Sequence, residues 1–327
     1  MRKSYVISCF NNKIKPIYLR LSITSQCNLR CLYCRPHIQS DAGLTESPLS
    51  HDQLVALVSA VQGVAPIYKL RLTGGEPLLR AELPELIRSF RNLLPAVELC
   101  MTTNGLLLAD RVEALKAAGL QSLNISLDTT RPDRFYRLSR SRGLARILSG
   151  IAAARNAGFD KLKLNTVLMR SYNADQLADL IRVAARNQCE IRFVELMPFG
   201  QGAHLFEDEY VSADEALSKI RSAFEYAGPL EASATARRHL IHVDGRDTAI
   251  GFITGMSRLF CPECDRLRLD SFGHIFSCLR SEKGADLGAL LRRGNLEALS
   301  REIAETLARK TAPRASWPER SMVLLGG

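Results

Sequence analysis

The chain has 327 residues, 44 Lys and Arg against 34 Asp and Glu, and a formal net charge of +10. That length suits one large α/β domain or two ordinary ones, and 46% hydrophobic with 24% charged residues is a soluble globular composition, not a disordered or fibrous one. No apolar run approaches the ~20 residues of a membrane helix, and Met1-Arg2-Lys3-Ser4-Tyr5 leads into no long apolar signal core, so a cytoplasmic location is expected. The basic residues are scattered and aromatics reach only 6%, a poor stacking platform for single strands, so nucleic acid is not the expected partner. A solvated basic surface absorbs most of the charge, and a small polyanion such as a nucleoside triphosphate is the other candidate.

In chain order, residues 1 to 16 are a lead-in. Ile17 to Thr24 reads as a strand with Tyr18, Arg20 and Ser22 on one face. A cysteine-bearing loop follows, then a stretch rich in turn formers (Pro36, Gly43, Pro48). Ser50 is a candidate N-cap for a helix around Leu54 to Val61. A repeated rhythm then begins. Strands are expected at Tyr68–Thr73, Val97–Thr102, Ser122–Leu127, Lys161–Met169 and Glu190–Leu196. Helices fall between them, to about Arg91, around Arg111–Ala118, to about Ala157 and from about Asp175 to Asn187. Strands alternating with helices at this spacing are parallel βαβ units. Six of them predict an α/β fold, an incomplete (β/α)6 TIM-like barrel, whose chemistry belongs at the C-terminal ends of the strands. Every motif below sits at such an end. The rhythm breaks after Gly200, so residues 1–200 are expected to form the barrel. Residues 201–327, with an irregular or β segment at 228 to 248, would form a smaller C-terminal domain covering its open side.

Nine cysteines are too clustered for a disulfide framework and suit a reducing compartment. Cys27, Cys31 and Cys34 form a CxxxCxxC loop after the first strand. Thiolates are soft ligands for zinc, copper(I) or iron–sulfur clusters. A four-iron cluster normally takes four cysteines, so a local trio leaves one iron open to a small molecule. A zinc knuckle or redox pair is the bland alternative. Gly74-Gly75-Glu76-Pro77 follows the second strand, where missing Cβ atoms allow a ligand close to the backbone. Cys261, Cys264 and Cys278 form a second trio, CxxC and then thirteen residues to the third. Its spacing alone leaves zinc and iron equally open, because His274 could complete a Cys₃His site. Arg266 and Arg268, alternating on a strand-like run beside it, favour an anionic ligand, which structural zinc does not need. Cys100 and Cys189 fit core positions; Cys9 fits no pattern.

These motifs resemble the radical S-adenosylmethionine (SAM) superfamily and, within it, the GTP 3′,8-cyclase family, which performs the first step of molybdenum cofactor biosynthesis. The matching stretches are LRLSITSQCNLRCLYC, RLTGGEPLLR, TTNG, NISLDT, KLNTVLM, IRFVELMP, GFITGMSRLFCPECDRLRLDSFGHIFSCL and the terminal Gly326-Gly327, running from about residue 17 to the end. Arg35 stands where the family usually has Met, the loop from Pro36 to Leu49 is atypical, and His274 is not a typical family residue. The resemblance implies two [4Fe–4S] clusters, one on Cys27, Cys31 and Cys34 and one on Cys261, Cys264 and Cys278. It implies SAM contacts at Tyr33, Gly75, Ser126 and Met197, and GTP contacts at Arg20, Arg71, Thr102, Lys163, Arg266 and Arg268. Arg20, Arg266 and Arg268 are the catalytic candidates, and the Gly-Gly tail is expected to reach into the site. The implied activity is a lyase converting GTP to (8S)-3′,8-cyclo-7,8-dihydroguanosine 5′-triphosphate. The product would pass to an accessory cyclic pyranopterin monophosphate synthase. An external electron donor is required, and a homodimer is allowed. The rival readings are a two-cluster radical SAM enzyme acting on a peptide or another nucleotide, and a non-catalytic zinc or cluster protein that binds nucleic acid.

Overall fold

The structure, a computed structural model, describes residues 15–34, 47–159, 161–233, 236–258, 261, 264–311 and 317–318. Cys9, most of the atypical loop after Cys34 and Gly326-Gly327 lie outside the described residues.

Six strands and the helices between them form the frame: β1 (Ile17–Ser22), α1 (His51–Val64), β2 (Ile67–Thr73), α2 (Leu83–Leu93), β3 (Glu98–Thr103), α3 (Val112–Ala117), β4 (Ser122–Ser126), α4 (Pro132–Ser139), α5 (Leu144–Asn156), β5 (Lys161–Leu168), α6 (Leu177–Arg186) and β6 (Glu190–Glu195). Each expected strand is present to within two residues, and the single arginine-rich helical region divides into α4 and α5. Ser50 caps α1 through a full capping box. Its hydroxyl accepts from Gln53 N at 3.3 Å, and Gln53 Oε1 accepts from Ser50 N at 2.9 Å.

The rest of the chain supplies α7 (Gly202–Glu209), α8 (Ala213–Ala223), β7 (Glu225–Ser233), β8 (Ala236–Val243), β9 (Arg246–Ile253), β10 (Arg266–Leu269), β11 (His274–Phe276), β12 (Ala285–Asp286), α9 (Leu287–Arg292) and α10 (Leu296–Ala308). The strands of the described residues join one open twelve-stranded sheet in the order β12-β11-β10-β1-β2-β3-β4-β5-β6-β9-β8-β7. β10 pairs parallel with β1, and β9 pairs parallel with β6. The later strands therefore lengthen both edges of the six-strand frame as well as following it in sequence. The irregular segment at 228 to 248 is part of the β7-β8-β9 meander.

The two faces of the sheet differ chemically. Side chains alternate between faces along a strand. Leu19 and Leu21, Leu70 and Leu72, Leu99 and Met101, Leu123 and Ile125, Leu162 and Leu164, Ile191 and Phe193, and Leu267 and Leu269 are all buried with helix residues in one core. The alternate positions carry Tyr18, Arg20, Lys69, Arg71, Glu98, Thr102, Asn124, Lys163, Glu190, Arg192, Arg266 and Arg268. The strand registers keep this parity from β10 to β6. The face turned from the helices is thus lined with charge, whereas a closed barrel of this kind fills its interior with packed aliphatics.

Candidate functional site

The strand registers set Arg268, Arg20 and Arg71 level with one another on three adjacent strands, with Arg266 one pair below, opposite Tyr18. Arg71 and Arg268 are buried, at 4% and 6% exposure. The Arg71 guanidinium donates to the Tyr18 hydroxyl, to Met101 O at 3.1 Å and to Thr102 Oγ1 at 3.4 Å. Burial and the neighbouring guanidiniums of Arg71 and Arg266 bring the pKa of Arg20 down to about 10, offset in part by Tyr18. Burial, with Arg20 and Arg266 beside it, holds Arg268 well below its ordinary range. Guanidiniums crowded this closely repel one another, so a multivalent anion between them is the ligand that relieves the repulsion.

Across the concave face, Lys163 lies 3.4 Å from Glu190, which also holds Arg192 and, at 3.3 Å, Arg238. Burial, then Arg192, brings Lys163 down to about 8, with Glu190 opposing. Lys69 donates to Glu98 at 3.0 Å, and Lys161 shares that carboxylate at 3.4 Å.

The first cysteine loop leaves the end of β1. Its backbone is tied to the end of α4, where Arg30 N donates to Ser139 O and Leu32 N to Leu138 O, both at 3.0 Å. Leu29 N lies 3.5 Å from Cys27 Sγ, and Asn104 Nδ2 lies 3.9 Å from the same sulfur. Burial, then the charges of Cys34, Asp128 and Cys27, pushes the Cys31 thiol well up. Three thiols close enough to oppose one another's ionisation are a site that a cationic group would stabilise. Among the described residues no three His, Cys, Asp or Glu side chains converge as one metal ion requires. A four-iron cluster takes each thiolate on a different iron, and Cys27, Cys31 and Cys34 would hold three of its corners. Tyr33 donates to Asp128 Oδ2 at 2.7 Å, and burial pushes the Asp128 carboxyl up to about 6.

The Gly-Gly-Glu-Pro turn packs directly on this loop. Gly75 N donates to Thr24 O at 2.8 Å and Glu76 N to Gln26 O at 2.7 Å. A Cβ at Gly75 would lie 2.0 Å from Gln26 O, and one at Gly74, whose φ is +154°, would lie 2.5 Å from Thr24 O. The close approach that these glycines permit is therefore by the cysteine loop's own backbone. Glu76 is fully buried. It accepts from Thr103 Oγ1 at 2.6 Å, Asn104 N at 2.7 Å and Leu78 N at 3.0 Å, and burial raises its carboxyl to about 7. This carboxylate joins the turns after β2 and β3. Ser126 ends β4, and Met197 follows β6, packed with Phe199, Phe276, Leu279 and Trp317.

The second trio flanks the β10–β11 hairpin. Cys264 N donates to Cys261 O at 3.2 Å, and Arg280 N lies 3.4 Å from Cys278 Sγ. Lys310 Nζ lies 3.7 Å from Cys264 Sγ and also donates to Arg266 O at 2.6 Å and Ser277 O at 3.1 Å. Burial pushes the Cys264 thiol up, but Arg266 and Lys310 outweigh it and leave the thiol below its ordinary range. A thiol already biased toward thiolate fits a metal centre. His274, the residue that kept a Cys₃His site open, has its Nδ1 3.1 Å from Asp270 Oδ2.

The fold brings the first trio, the Gly-Gly-Glu-Pro turn, Ser126 and Met197 to the C-terminal strand ends, and the arginines, Thr102 and Lys163 to the concave face. The second trio, before β10 and after β11, lies instead at the N-terminal end of β1, against the expectation that every motif sits at a C-terminal strand end, because β10 runs parallel to β1 and β11 returns antiparallel. Arg266 and Arg268 lie beside the thiols of the second trio, Arg20 and Arg71 carry the row on across β1 and β2 with Thr102 bonded to Arg71, and Lys163 lies several strands away. Sequence reasoning gave no site role to Tyr18, Lys69, Arg192, Asp128, Asn104 or Lys310, although it set Tyr18 on the same face as Arg20. The alternation of charge with Leu or Ile in β1, β2 and β6 was the available signal for the first three; Lys310 carries none, since it arrives from a distant helix end.

A polar, cation-lined sheet face with one cysteine trio at the C-terminal strand ends and a second at the opposite end is the arrangement of a class of protein able to seat an anionic ligand between two thiolate-bound centres. The Radical SAM superfamily model matches residues 21–184, and the Molybdenum Cofactor Synthesis C model matches residues 189–315. GTP 3′,8-cyclase of Pelotomaculum thermopropionicum is 38% identical over 320 residues, covering 94% of this chain and 93% of the relative. GTP 3′,8-cyclase of Peptoclostridium acidaminophilum is 37% identical over 295 residues, covering 89% and 88%. The fold is also that of Streptococcus suis SuiB bound to S-adenosylmethionine, with a TM-score of 0.62 at 16% identity, covering 84% of this chain and 64% of that structure. The chain belongs to the radical SAM superfamily and, within it, to the GTP 3′,8-cyclase family.

Proposed function

We propose that this chain is a lyase that cyclises GTP to (8S)-3′,8-cyclo-7,8-dihydroguanosine 5′-triphosphate, the first step of molybdenum cofactor biosynthesis. The observation that carries the reading is the level row of Arg268, Arg20 and Arg71, with Arg266 beside it, between the two cysteine trios. Cys27, Cys31 and Cys34 would hold the cluster that binds SAM, with Tyr33, Gly75, Ser126 and Met197 around it. Cys261, Cys264 and Cys278 would hold the second. When bound, the first cluster and SAM supply a radical able to abstract hydrogen from a ribose carbon.

The chain's own residues do the rest. Arg20, Arg71, Arg266 and Arg268 neutralise a triphosphate of about four negative charges through charge-assisted hydrogen bonds, with Lys163 closing on it from the facing strands. Thr102, already bonded to Arg71, positions the ribose end. The buried Glu76 fixes the turns after β2 and β3, so the SAM and GTP positions move as one unit. Burial excludes solvent that would quench a radical.

Residues 1–200 form the SAM-binding part in this reading, and 201–327 bring the second cluster and the Gly-Gly tail. The electron comes from an external donor, and the product leaves for an accessory synthase. A reducing cytoplasm suits the thiol ligands. No helix among the described residues is long and apolar enough to cross a membrane. The test is anaerobic: reconstitute with iron and sulfide, add SAM and reductant, and measure 5′-deoxyadenosine with and without GTP. A GTP-dependent rise with a cyclised nucleotide of GTP mass is the expected result. SAM cleavage indifferent to GTP would overturn the substrate, and two bound zincs without acid-labile sulfide would overturn the reaction.

A further inference from the structure

The arginine-rich stretch from Arg131 to Arg146 is not used by the site just described. It holds six Arg against one Asp, a net charge of +5 in sixteen residues. Its place in the fold is specific. The end of α4 is hydrogen-bonded to the first cysteine loop through Ser139 O and Leu138 O, so this surface lies directly over Cys31 and its neighbours. Arg30, in that loop, is exposed, as are Arg137, Arg140 and Arg142 around the end of α4, with Arg137 over the Tyr172 ring at 5.4 Å.

Three features set these four arginines apart from an ordinary solvated helix. Elsewhere on the stretch the charges are matched: Arg131 with Asp133, Arg134 with Asp175, and Arg146 with Asp110. Among the described residues no carboxylate pairs with Arg30, Arg137, Arg140 or Arg142. Second, Arg140 caps α4 at φ +58°, the left-handed position at which helices normally place glycine. A charged side chain held in a conformation unfavourable to it points to a use for that side chain. Third, Tyr136, 45% exposed, stands in the patch with Arg142 over its ring at 5.5 Å, an amphipathic anchor of the kind found at protein interfaces.

We propose that this face is the docking surface for an acidic protein that carries one electron at a time and delivers it to the first cluster. The inference rests on the cluster assignment to Cys27, Cys31 and Cys34 made above. One electron leaves the reduced carrier, which is oxidised by one equivalent, and enters the cluster, which is reduced by one. Like charges unmatched within the chain are complementary to a carrier's acidic face, and they raise encounter rates without requiring tight binding. The patch lies over the first cysteine loop, away from the row of arginines assigned to GTP, so docking leaves the substrate site open.

The test uses the reconstituted full chain and a reduced, acidic flavodoxin as probe. Cluster reduction is followed by stopped-flow absorbance, with photoreduced 5-deazaflavin as a small neutral reductant. Charge reversal at three positions, R137E/R140E/R142E, is expected to lower the flavodoxin rate at least about tenfold at low salt and to leave the deazaflavin rate unchanged. The wild-type flavodoxin rate is expected to fall steeply between low and physiological salt; a flat response overturns the docking surface whether or not the variant folds. An unchanged flavodoxin rate in the triple variant, or an equal loss from R301E on the remote helix α10, also overturns it. Duplex DNA binding that the triple variant loses, with its flavodoxin rate intact, would reassign the patch to nucleic acid and overturn the inference. Failure of the cluster reading is separate: iron and acid-labile sulfide would then be absent from wild type before any carrier is added.

Discussion

Glu76 gives the sharpest test of how this site is held together. It is completely buried and accepts three hydrogen bonds, two from backbone amides (Leu78 and Asn104) and one from Thr103 Oγ1. Burial raises its carboxyl from 4.5 to about 7. The folded chain therefore binds this proton more tightly than the unfolded chain does. The stabilisation is fully present below pH 4.5 and is lost as pH rises through about 7. At 1.36 kcal/mol per pH unit, the loss across that window is about 3 kcal/mol. Glu76→Gln cannot titrate, so the stability of wild type minus that of E76Q should fall by about 3 kcal/mol between pH 4.5 and 7. E76A removes the acceptor altogether and leaves two amide donors buried, at about 1–3 kcal/mol each. It should be the least stable of the three at pH 5. Anaerobic urea denaturation of the full chain, followed by far-UV circular dichroism, reads all of this. A wild-type minus E76Q difference that does not change with pH would refute the account of Glu76 as a buried, proton-coupled tie between the two turns.

Gly75→Ala places a methyl 2.0 Å from Gln26 O. That contact is with backbone and cannot be relieved by a rotamer change, so a cost of about 1–3 kcal/mol is expected, together with low iron at the first cluster by metal and sulfide assay. Lys163 titrates near 8, so GTP affinity should weaken as pH rises through that value, and K163M should lose that limb; isothermal titration across pH 7 to 9.5 is the check. Arg266→Ala with Arg268→Ala should cut GTP-dependent turnover by about 10² or more while iron content stays at the wild-type level. Iron loss instead would make those arginines structural. Lys310→Met removes the ammonium 3.7 Å from Cys264 Sγ and should raise that thiol's pKa, measured by alkylation rate against pH in chain freed of iron.

The sequence by itself determined the alternation of strands and helices, because apolar periodicity is local and each βαβ unit carries its own signal. It placed all six parallel strands of the frame and the Ser50 cap to within a residue or two. It also carried the two cysteine trios, since metal-binding loops are written as short spacings. Tertiary structure alone decided that β10 would pair with β1 and β9 with β6, contacts spanning long stretches of chain with no local signature. That pairing is what sets Arg268 level with Arg20 and Arg71, residues that sequence can nominate separately but cannot align. It also decided why Gly75 must be glycine, since the atom that would strike a Cβ belongs to Gln26, 49 residues earlier. Lys310 comes to Cys264 in the same way, 46 residues away in sequence and one hydrogen bond away in space. Side-chain type and spacing fix which chemistry a loop can do; only long-range strand pairing fixes which loops share a site, because the hydrogen bonds that set register are made by backbone groups identical at every position.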